Sequence, residues 1–278
     1  MTFEYALKTA RDVLKDAGIA EFELDAWLLM EYVCKIDKSY YYLNLKEEME
    51  EEHEQTYEVI VKKRSERVPL QYITGVQEFM GLTLKVNSNV LIPRQDTEVL
   101  VEEALRVLKP GMKVLDLCTG SGCIIISLLK YAEGIKGFAS DISKQALLVA
   151  KENAKLNQVE PDLIRSDLFS NITDSFDLII SNPPYIKTEE IDQLMPEVAH
   201  FEPVGALDGR DDGLHFYREI TAQCMEYLKP EGFLYFETGC DQTDAVMEMM
   251  EQAGLKELKV IKDLTGLKRV VCGRRSYV

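Results

Sequence analysis

Apolar residues recur at helical spacing along the N-terminal quarter of the chain. In the stretch FEYALKTARDVLKDAG they fall near one helix face, and Gly18 is placed to end that helix. A second, more apolar helix is predicted around Trp27. A third is predicted from Leu45 to Val68, and its acidic start suits the positive end of a helix dipole. The pattern therefore predicts a helical bundle over residues 1–72.

After Lys109-Pro110-Gly111 the pattern becomes an alternation of apolar strands and amphipathic helices. The predicted strands are KVLDLC, KGFAS, DLIRS, FDLIIS, GFLYFET, LKELKVIKD and LKRVVCG. Such alternation indicates a doubly wound, mostly parallel sheet. The last two strands are joined by only about three residues, too few for a crossover, so they must pair antiparallel. The predicted fold is α/β, with a seven-stranded, mostly parallel sheet that carries an antiparallel terminal hairpin.

The residues between the predicted bundle and the predicted sheet follow a different pattern. From 69 to 92, β-branched residues, glycines and an Asn-Ser-Asn turn predict a β-hairpin. The stretch RQDTEVLVEEALRVL then predicts a helix with Asp96 or Thr97 as its N-cap. The predicted organisation is a helical domain at 1–72, a β-hairpin linker at 73–92 and an α/β domain at 93–278.

Composition narrows the function classes. Hydrophobic residues make up 46% of the 278 positions, and 32 Lys and Arg against 48 Asp and Glu give a net charge of −16. Such a surface disfavours extensive nucleic-acid binding, which depends on Lys and Arg to neutralise phosphates. The six cysteines include no C-x-x-C pair and the three histidines are scattered, so no metal site is predicted. The N-terminus has acids in its first turns, unlike a signal peptide, and no apolar run approaches the ~18 residues that span a bilayer. We therefore expect a cytoplasmic protein without membrane contact.

A glycine-rich turn, VLDLCTGSGCIII, stands between a predicted strand and helix. Gly120 and Gly122 let the backbone pass close to a ligand at the helix N-terminus. Asp141 ends the next strand, where its carboxylate suits both hydroxyls of a ribose. The dinucleotide fingerprint is incomplete because Ile125 stands at its third glycine, and no Gly-Lys-Ser/Thr of a P-loop follows. A tight turn without a ligand is the alternative for this loop taken alone.

Four motifs, in this order, resemble those of class I S-adenosylmethionine-dependent methyltransferases: DLCTGSG at 116–122, Asp141, SDLF at 166–169 and SNPPY at 181–185. The resemblance implies S-adenosylmethionine as cofactor and S-adenosylhomocysteine as product. It places the methionine end at the glycine loop, the ribose at Asp141 and the adenine beside the SDLF motif. The implied cofactor-binding residues are Cys118, Thr119, Gly120, Ser121, Gly122, Asp141, Asp167, Leu168 and Asn182.

The SNPPY motif suits methyl transfer to a planar nitrogen, which is a poor nucleophile because its lone pair is delocalised. The Asn182 side-chain carbonyl and the Pro183 backbone carbonyl provide two acceptors for its N–H groups, and Pro184 restricts their geometry. Tyr185 offers a flat face for stacking. We interpret Asn182, Pro183 and Tyr185 as catalytic. We expect all four residues of the segment, Asn182, Pro183, Pro184 and Tyr185, to bind the substrate. On this motif alone, adenine, guanine and the side-chain amide of glutamine all remain open as methyl acceptors.

The rest of the chain resembles the peptide chain release factor glutamine methyltransferases (the HemK/PrmC type). The resemblance rests on 69–98, on FEPVGALDGRDDGLHFYREI at 201–220 and on FETG, and it extends over essentially all 278 residues. It implies methylation of the glutamine in the Gly-Gly-Gln motif of bacterial class I release factors, with the helical domain recognising this substrate. The chain departs from the family at Cys118, where glycine is usual, at Leu168, where an aromatic is frequent, and at Gln95, where proline is usual.

Arg94 and Glu98 are expected at the substrate entrance, with a purely local structural pairing as the alternative. Two other functions stay open on the sequence. A DNA or RNA amino-methyltransferase would use the same Asn-Pro-Pro-Tyr chemistry, and the basic cluster KKRSER at 62–67 is its best support. A non-catalytic binding protein would have no need to retain Asn182 and Tyr185. We expect a release factor as protein partner, no direct nucleic-acid contact and a monomer.

Overall fold

A computed structural model of the chain describes residues 1–276, so positions 277–278 of the predicted α/β domain lie outside the described residues. The chain forms two compact units. One consists of Met1–Gly75 together with Met195–Phe201. The other consists of Val76–Leu194 together with the chain from Glu202 onward. The three-part division into helical domain, linker and α/β domain stays a prediction.

The first unit is helical, as the apolar spacing predicts. Its N-terminal part contains α1 (Phe3–Asp16), α2 (Phe22–Cys34), α3 (Lys38–Leu43), α4 (Glu51–Ser65) and α5 (Leu70–Thr74). Thr2 caps α1 by accepting from Tyr5 N at 3.3 Å, and Gly18, with a φ of 70°, follows the helix end.

The predicted third helix is wrong at its start, because α4 begins at Glu51 instead of Leu45, and the short helix α3 was not predicted. The backbone of the segment between them pairs with the N-terminus of the chain. The carbonyl of Leu45 accepts from Glu4 N at 3.0 Å, and that of Glu47 accepts from Phe3 N at 3.1 Å. These bonds hold the segment in a non-helical conformation.

A group of buried charges stabilises this unit beside its apolar core. Arg64, near the end of α4, donates through Nε to Asp25 Oδ2 at 2.7 Å and through Nη1 to Glu197 Oε1 at 3.0 Å. Arg67 also reaches Glu197 Oε1, at 3.1 Å. Arg64 and Asp25 are buried, so the arrangement is held in place by mutual hydrogen bonding. Because Glu197 lies far along the chain, these bonds fasten the segment 195–201 to the helical unit.

The second unit begins with a β-hairpin and continues as an α/β fold. Its strands are β1 (Val76–Phe79), β2 (Leu82–Lys85), β3 (Lys113–Leu117), β4 (Lys136–Asp141), β5 (Asp162–Arg165), β6 (Phe176–Ser181), β7 (Leu228–Glu237), β8 (Leu255–Lys262) and β9 (Lys268–Arg275). Its helices are α6 (Asp96–Leu105), α7 (Cys123–Tyr131), α8 (Lys144–Leu156), α10 (His215–Tyr227) and α11 (Thr243–Gln252), while α9 (Pro196–Phe201) belongs to the helical unit. The expected cap of α6 is wrong: Gln95 occupies the N-cap position, and Asp96 and Thr97 lie in the first turn.

Within residues 1–276 seven strands form the main sheet in the order β5-β4-β3-β6-β7-β9-β8. The first five of these pair parallel, and β9 pairs antiparallel with both β7 and β8. The predicted fold class and antiparallel terminal hairpin are thus confirmed. Strand order reverses between β3 and β6, which in doubly wound sheets is where ligands bind at the carboxyl ends of the strands.

Central strands read as continuous apolar runs because both of their faces are covered. Val114 and Leu178 pack into the core on one face of the sheet, whereas Leu115 and Ile179 pack into the core on the other face. The hairpin adds Phe79 to the first of these cores. Alternation along each strand therefore leaves only the strand ends free to present polar groups.

The described residues contain no helix that is both long and apolar enough to cross a bilayer. Over the same residues, no three His, Cys, Asp or Glu side chains come together as a metal-binding group.

Candidate active site

Two loops leave the sheet side by side at the strand-order reversal. Leu117, the last residue of β3, pairs with Ser181, the last residue of β6. Ser181 Oγ also donates to the Leu117 carbonyl at 2.7 Å. The glycine loop and the Asn-Pro-Pro-Tyr segment therefore start from neighbouring points at one edge of the sheet.

The glycine loop rests on a buried acid. Asp116 is fully buried, and Thr119 Oγ1 donates to its Oδ2 at 2.6 Å. Its Oδ1 is buried without a hydrogen-bond partner among residues 1–276. Burial raises the pKa of Asp116 to about 7, against the opposing hydrogen bonding from Thr119 and from the Ile125 backbone. Thr119 N donates in turn to the Ser140 carbonyl at 3.0 Å, which ties the loop to β4.

Three positions of this loop adopt a left-handed backbone. Cys118, Gly120 and Gly122 have φ values of 60°, 54° and 80°. A Cβ on Gly122 would lie 2.9 Å from Cδ1 of Ile126 and 3.1 Å from Cβ of Ala150, so packing as well as φ favours glycine there. A Cβ on Gly120 would meet nothing within 4 Å and would project into open space. Cys118 carries a side chain in a region that favours glycine.

Asp141, at the end of β4, joins the loop to the next helix. Its Oδ2 accepts from Gly120 N at 2.9 Å and its Oδ1 from Ser143 N at 2.8 Å. Each carboxylate oxygen retains a further lone pair for a ligand. Burial raises the pKa of Asp141, partly offset by these backbone hydrogen bonds.

The SDLF motif lies beside Asp141. Ser166 N donates to the Asp141 carbonyl at 3.0 Å, and Ser166 Oγ donates to the Leu168 carbonyl at 2.7 Å. These bonds hold Asp167 and Leu168 in a turn in which Leu168 has a φ of 44°. The predicted ribose and adenine residues are therefore contiguous.

The loop residues fit S-adenosylmethionine on two observations. The space that a Gly120 side chain would enter is open, and the N–H of the same residue donates to Asp141, the acid expected to bind the ribose. The unpartnered Oδ1 of Asp116 below the loop leaves one buried acceptor available to a ligand or to an ordered water. A cofactor with hydroxyl and ammonium donors matches this set of acceptors.

The Asn-Pro-Pro-Tyr segment is held by Gln242 and by close packing against Gly209 and Gly213. Gln242 Nε2 donates to the Tyr185 carbonyl at 2.8 Å and to the Gly213 carbonyl at 3.3 Å. A Cβ on Gly209 would lie 2.7 Å from Tyr185 Cα, and one on Gly213 would lie 2.4 Å from the Tyr185 carbonyl oxygen. Burial raises the pKa of Tyr185 to about 12, so its ring is a neutral wall at ordinary pH. Pro183 is buried.

Asn182 is only partly buried, and its amide nitrogen points into the protein. Nδ2 donates to Thr97 Oγ1, in the first turn of α6, at 3.3 Å. Glu237, the last residue of β7, is almost completely buried, and Phe236 before it pairs with Ser181, the residue before Asn182. Burial raises the pKa of Glu237 to about 7, against the opposing effects of hydrogen bonding from Thr97, the charge of Arg269 and hydrogen bonding from Asn182.

Sequence reasoning missed Thr97, Glu237 and Gln242 as parts of the site. The one available signal was Glu237 itself, an acid that ends a strongly apolar strand. The partners of Asn182 and Tyr185 lie 85 and 57 positions away along the chain, so spacing carried no information about them.

The two residues expected at the substrate entrance make local pairs. Arg94 forms an ion pair with Glu202, whose carboxylate also accepts from Ile92 N at 3.3 Å. Glu98 Oε1 accepts from Met80 N, in the turn of the β-hairpin, at 2.6 Å. Arg94 retains 40% exposure of its side chain, which leaves it accessible. A role for Arg94 and Glu98 in substrate binding stays a prediction.

Two family models match the chain. The model described as the PrmC N-terminal domain matches residues 5–75, and the model described as the methyltransferase small domain matches residues 95–200. A methyltransferase from Pyrococcus furiosus has a similar crystal structure, with a TM-score of 0.57 and 16% identity, over 78% of this chain and all of that one. At that identity the likeness shows the fold.

Curated relatives align with nearly the whole chain. The release factor glutamine methyltransferase of Geobacter sulfurreducens is 39% identical over 274 residues, which cover 98% of this chain and 96% of the relative. The enzyme of the same name from Caulobacter vibrioides is 40% identical over 282 residues, which cover 99% and 97%. The chain therefore belongs to the release factor glutamine methyltransferase family.

Proposed function

We propose that the chain transfers a methyl group from S-adenosylmethionine to the side-chain amide nitrogen of the glutamine in the Gly-Gly-Gln motif of bacterial class I release factors. The observation that carries the proposal is the pairing of Leu117 with Ser181, which starts the glycine loop and the Asn182 segment at adjacent points. The relatives that align with nearly the whole chain are named release factor glutamine methyltransferases, which supports this substrate.

The chemical task is to make an amide nitrogen nucleophilic. Its lone pair is delocalised into the carbonyl, so acceptors on its two N–H groups are needed to orient it and to favour positive charge on nitrogen in the transition state. Asn182 Oδ1 is free for this role because Nδ2 is the atom bonded to Thr97. The backbone carbonyl of Pro183, fixed between two ring-restricted residues, is the second acceptor.

The bound cofactor supplies a methyl group already activated by the sulfonium charge. The protein's contribution is orientation: the glycine loop and Asp141 hold one reactant, and Asn182 with Tyr185 holds the other. The neutral ring of Tyr185 provides a flat wall for the planar amide. As the nitrogen–carbon bond forms and the carbon–sulfur bond breaks, the nitrogen becomes acidic, and its proton leaves to water without a general base.

The remaining functional assignments follow from this substrate. A release factor is the partner, the N-terminal helical unit recognises it, Arg94 and Glu98 border its entrance, and the enzyme acts as a cytoplasmic monomer without direct nucleic-acid contact. The acidic balance of 48 Asp and Glu against 32 Lys and Arg supports the last point. No feature of the site favours the nucleic-acid alternative over the glutamine substrate.

Incubation with methyl-labelled S-adenosylmethionine tests the substrate directly. The acceptors are a class I release factor, the same factor with its Gly-Gly-Gln glutamine changed to alanine, duplex DNA and ribosomal RNA. We expect label on the unaltered factor alone. Equal label on the altered factor, or label on nucleic acid, contradicts the proposal.

Asn182→Ala tests the acceptor role. Loss of one preorganised group of this kind lowers kcat by about 10²–10³. The affinity for S-adenosylhomocysteine, measured by calorimetry, should remain close to that of the unaltered enzyme. Asn89→Ala, which removes an exposed asparagine in the turn after the hairpin, is the matched control and should leave both quantities unchanged. Loss of cofactor binding with normal turnover of the bound fraction would show that Asn182 is not the substrate acceptor.

A further inference from the structure

Side chains around the first turn of α6 bond to several distant parts of the α/β unit. The pairs are Arg94 with Glu202, Asp96 with Arg269, Thr97 with Asn182, and Glu98 with Met80 N. Three of these pairs fasten the turn to the rest of the unit. The remaining pair, made by Thr97, connects the fastened turn to the catalytic asparagine.

Thr97 presents a buried hydroxyl to the amide of Asn182. The residue is 3% exposed, and its Oγ1 accepts from Asn182 Nδ2 at 3.3 Å. Its own N–H donates to the Arg94 carbonyl at 3.1 Å, so the backbone that carries the hydroxyl is held as well. The terminal torsion of an asparagine side chain has a broad range. A hydrogen bond to one end of the amide restricts this torsion and keeps Oδ1 in one direction.

A largely buried arginine anchors the same turn. Asp96, the first residue of α6, pairs with Arg269 of β9 at 2.9 Å. Arg269 is 13% exposed, and its guanidinium also donates to Asp263 at 3.2 Å. Asp263 Oδ1 accepts in turn from Thr265 N at 2.9 Å and from Leu267 N at 3.0 Å. The arginine is therefore held by the turn between β8 and β9, which gives α6 a fixed support.

We propose that Thr97 is a positioning residue that fixes the amide of Asn182, and that Arg269 fixes Thr97 through Asp96. This inference rests on the proposed function, in which Asn182 Oδ1 accepts a hydrogen bond from the substrate amide. The role of both residues is indirect: they preorganise the acceptor, so that it is aimed before the glutamine arrives. Their loss should slow the chemical step and leave cofactor binding intact, because the cofactor loop is held by Asp141.

Thr97→Val and Thr97→Ser separate the hydroxyl from packing. Valine has the shape of threonine without its hydroxyl, so kcat for release factor at saturating cofactor should fall roughly 10- to 100-fold, as when a reacting group is misplaced. Serine keeps the hydroxyl and should retain most of the activity. The affinity for S-adenosylhomocysteine should stay within about twofold in both variants. Thr221→Val, which removes a buried hydroxyl that bonds within α10, is the matched control and should have normal kcat.

Three outcomes of this series overturn the positioning role of Thr97. One is a normal kcat in Thr97→Val. Another is a Thr97→Ser enzyme as slow as Thr97→Val, because packing and not the hydroxyl would then matter. The third is a loss of cofactor affinity that matches the fall in kcat, since the residue would then support the whole site.

Asp96→Ala tests the anchor and leaves the buried pair of Arg269 and Asp263 in place. The Asp96 side chain is 48% exposed, so the midpoint of urea unfolding should stay close to that of the unaltered protein. We expect kcat to fall roughly 10-fold all the same, because the turn loses its attachment to β9. Asp174→Ala is the matched control. Asp174 is 44% exposed and pairs with Lys113 at the start of β3, the end of that strand away from the site.

A double variant tests whether Asp96 acts through Thr97. The kcat of Asp96→Ala/Thr97→Val should be no lower than that of Thr97→Val, because without the hydroxyl the turn no longer bonds to Asn182. Losses that multiply in the double variant would show independent action and would overturn the anchor role of Arg269. A normal kcat in Asp96→Ala would overturn it as well.

A measurement without turnover separates this inference from the proposed function. The side-chain amide signal of Asn182 in a ¹H–¹⁵N spectrum is identified by its loss in Asn182→Ala. Its ¹⁵N relaxation should report a restricted amide in the unaltered protein and in Thr97→Ser, and a mobile amide in Thr97→Val. If the protein methylates no glutamine, the proposed function fails, while the relaxation data still report on the positioning. Equal mobility in Thr97→Val and the unaltered protein overturns the positioning role even where glutamine methylation is observed.

Discussion

Alanine at Gly120 and alanine at Gly122 are expected to damage the protein in different ways. Both positions have a positive φ, 54° and 80°, so each alanine costs roughly 1–2 kcal/mol of folding free energy through backbone strain. At Gly122 the new Cβ would also lie 2.9 Å from Ile126 and 3.1 Å from Ala150. Overpacking of this kind adds about 1–3 kcal/mol, so Gly122→Ala should lose about 2–5 kcal/mol in total.

Gly120→Ala should instead lose cofactor affinity. The new Cβ would meet no protein atom within 4 Å, so backbone strain is the whole cost to the free energy of folding. If the cofactor occupies that space, overpacking of about 1–3 kcal/mol weakens cofactor binding instead of folding. This cost corresponds to a rise in Kd of about 5- to 140-fold. Gly111→Ala is the control, because Gly111 has a φ of 89° and an equally open Cβ position, and it lies before β3 and away from the loop.

Urea denaturation and calorimetric titration with S-adenosylhomocysteine measure the two quantities separately. Gly111→Ala and Gly120→Ala should be destabilised to a similar extent, and Gly120→Ala alone of the two should bind the ligand weakly. Equal affinities for these two variants would refute the placement of the cofactor at Gly120. A Gly122→Ala protein as stable as Gly111→Ala would refute the packing argument.

Three further outcomes are expected. Burial raises the pKa of Glu237 from 4.5 to about 7, so the ionised carboxylate destabilises the fold increasingly as pH rises between these values. Glu237→Gln should therefore be more stable by about 3 kcal/mol at about pH 8 in urea denaturation. Arg64→Ala should destabilise the helical unit by about 3–5 kcal/mol in the same assay because it leaves two carboxylates without their buried partner. Arg67→Ala, at a side chain that is 30% exposed, should cost about 1 kcal/mol or less. Gln242→Leu removes the donor to the Tyr185 carbonyl. It should lower kcat on the order of 10-fold and leave the affinity for S-adenosylhomocysteine unchanged. Equal losses in kcat and in affinity would show that Gln242 supports the whole fold.

The sheet could be predicted because its strands are buried on both faces and therefore read as short apolar runs. FDLIIS is β6 with the bounds that were predicted, and the short link between the last two strands fixes their antiparallel pairing. Local chemistry is equally readable: a serine before a helical run favours an N-cap, and Ser143 caps α8, with its Oγ accepting from Ala146 N at 3.2 Å. These features depend on residues close together in the chain.

Features that depend on distant partners could not be predicted. The start of α4 is determined by backbone bonds between Leu45 and Glu4, which compete with helix formation and leave no trace in the periodicity. Thr97 looked like a helix cap because threonine before an apolar run usually is one, yet its hydroxyl faces Asn182. The contact between α6 and Asn182 was thus hidden in a residue with a plausible local explanation.

The segment 195–201 has a consequence for attempts to transplant the recognition module. The family model of the N-terminal domain ends at residue 75, which suggests a contiguous cassette that can be exchanged between relatives. The compact unit is larger, because it takes Glu197 from the middle of the catalytic chain as the partner of Arg64 and Arg67. A chimaera joined only near residue 75 would combine Arg64 and Arg67 of one relative with the 195–201 segment of the other. Successful grafts should therefore carry both pieces of sequence, and natural changes at these arginines should be matched by changes more than a hundred positions downstream.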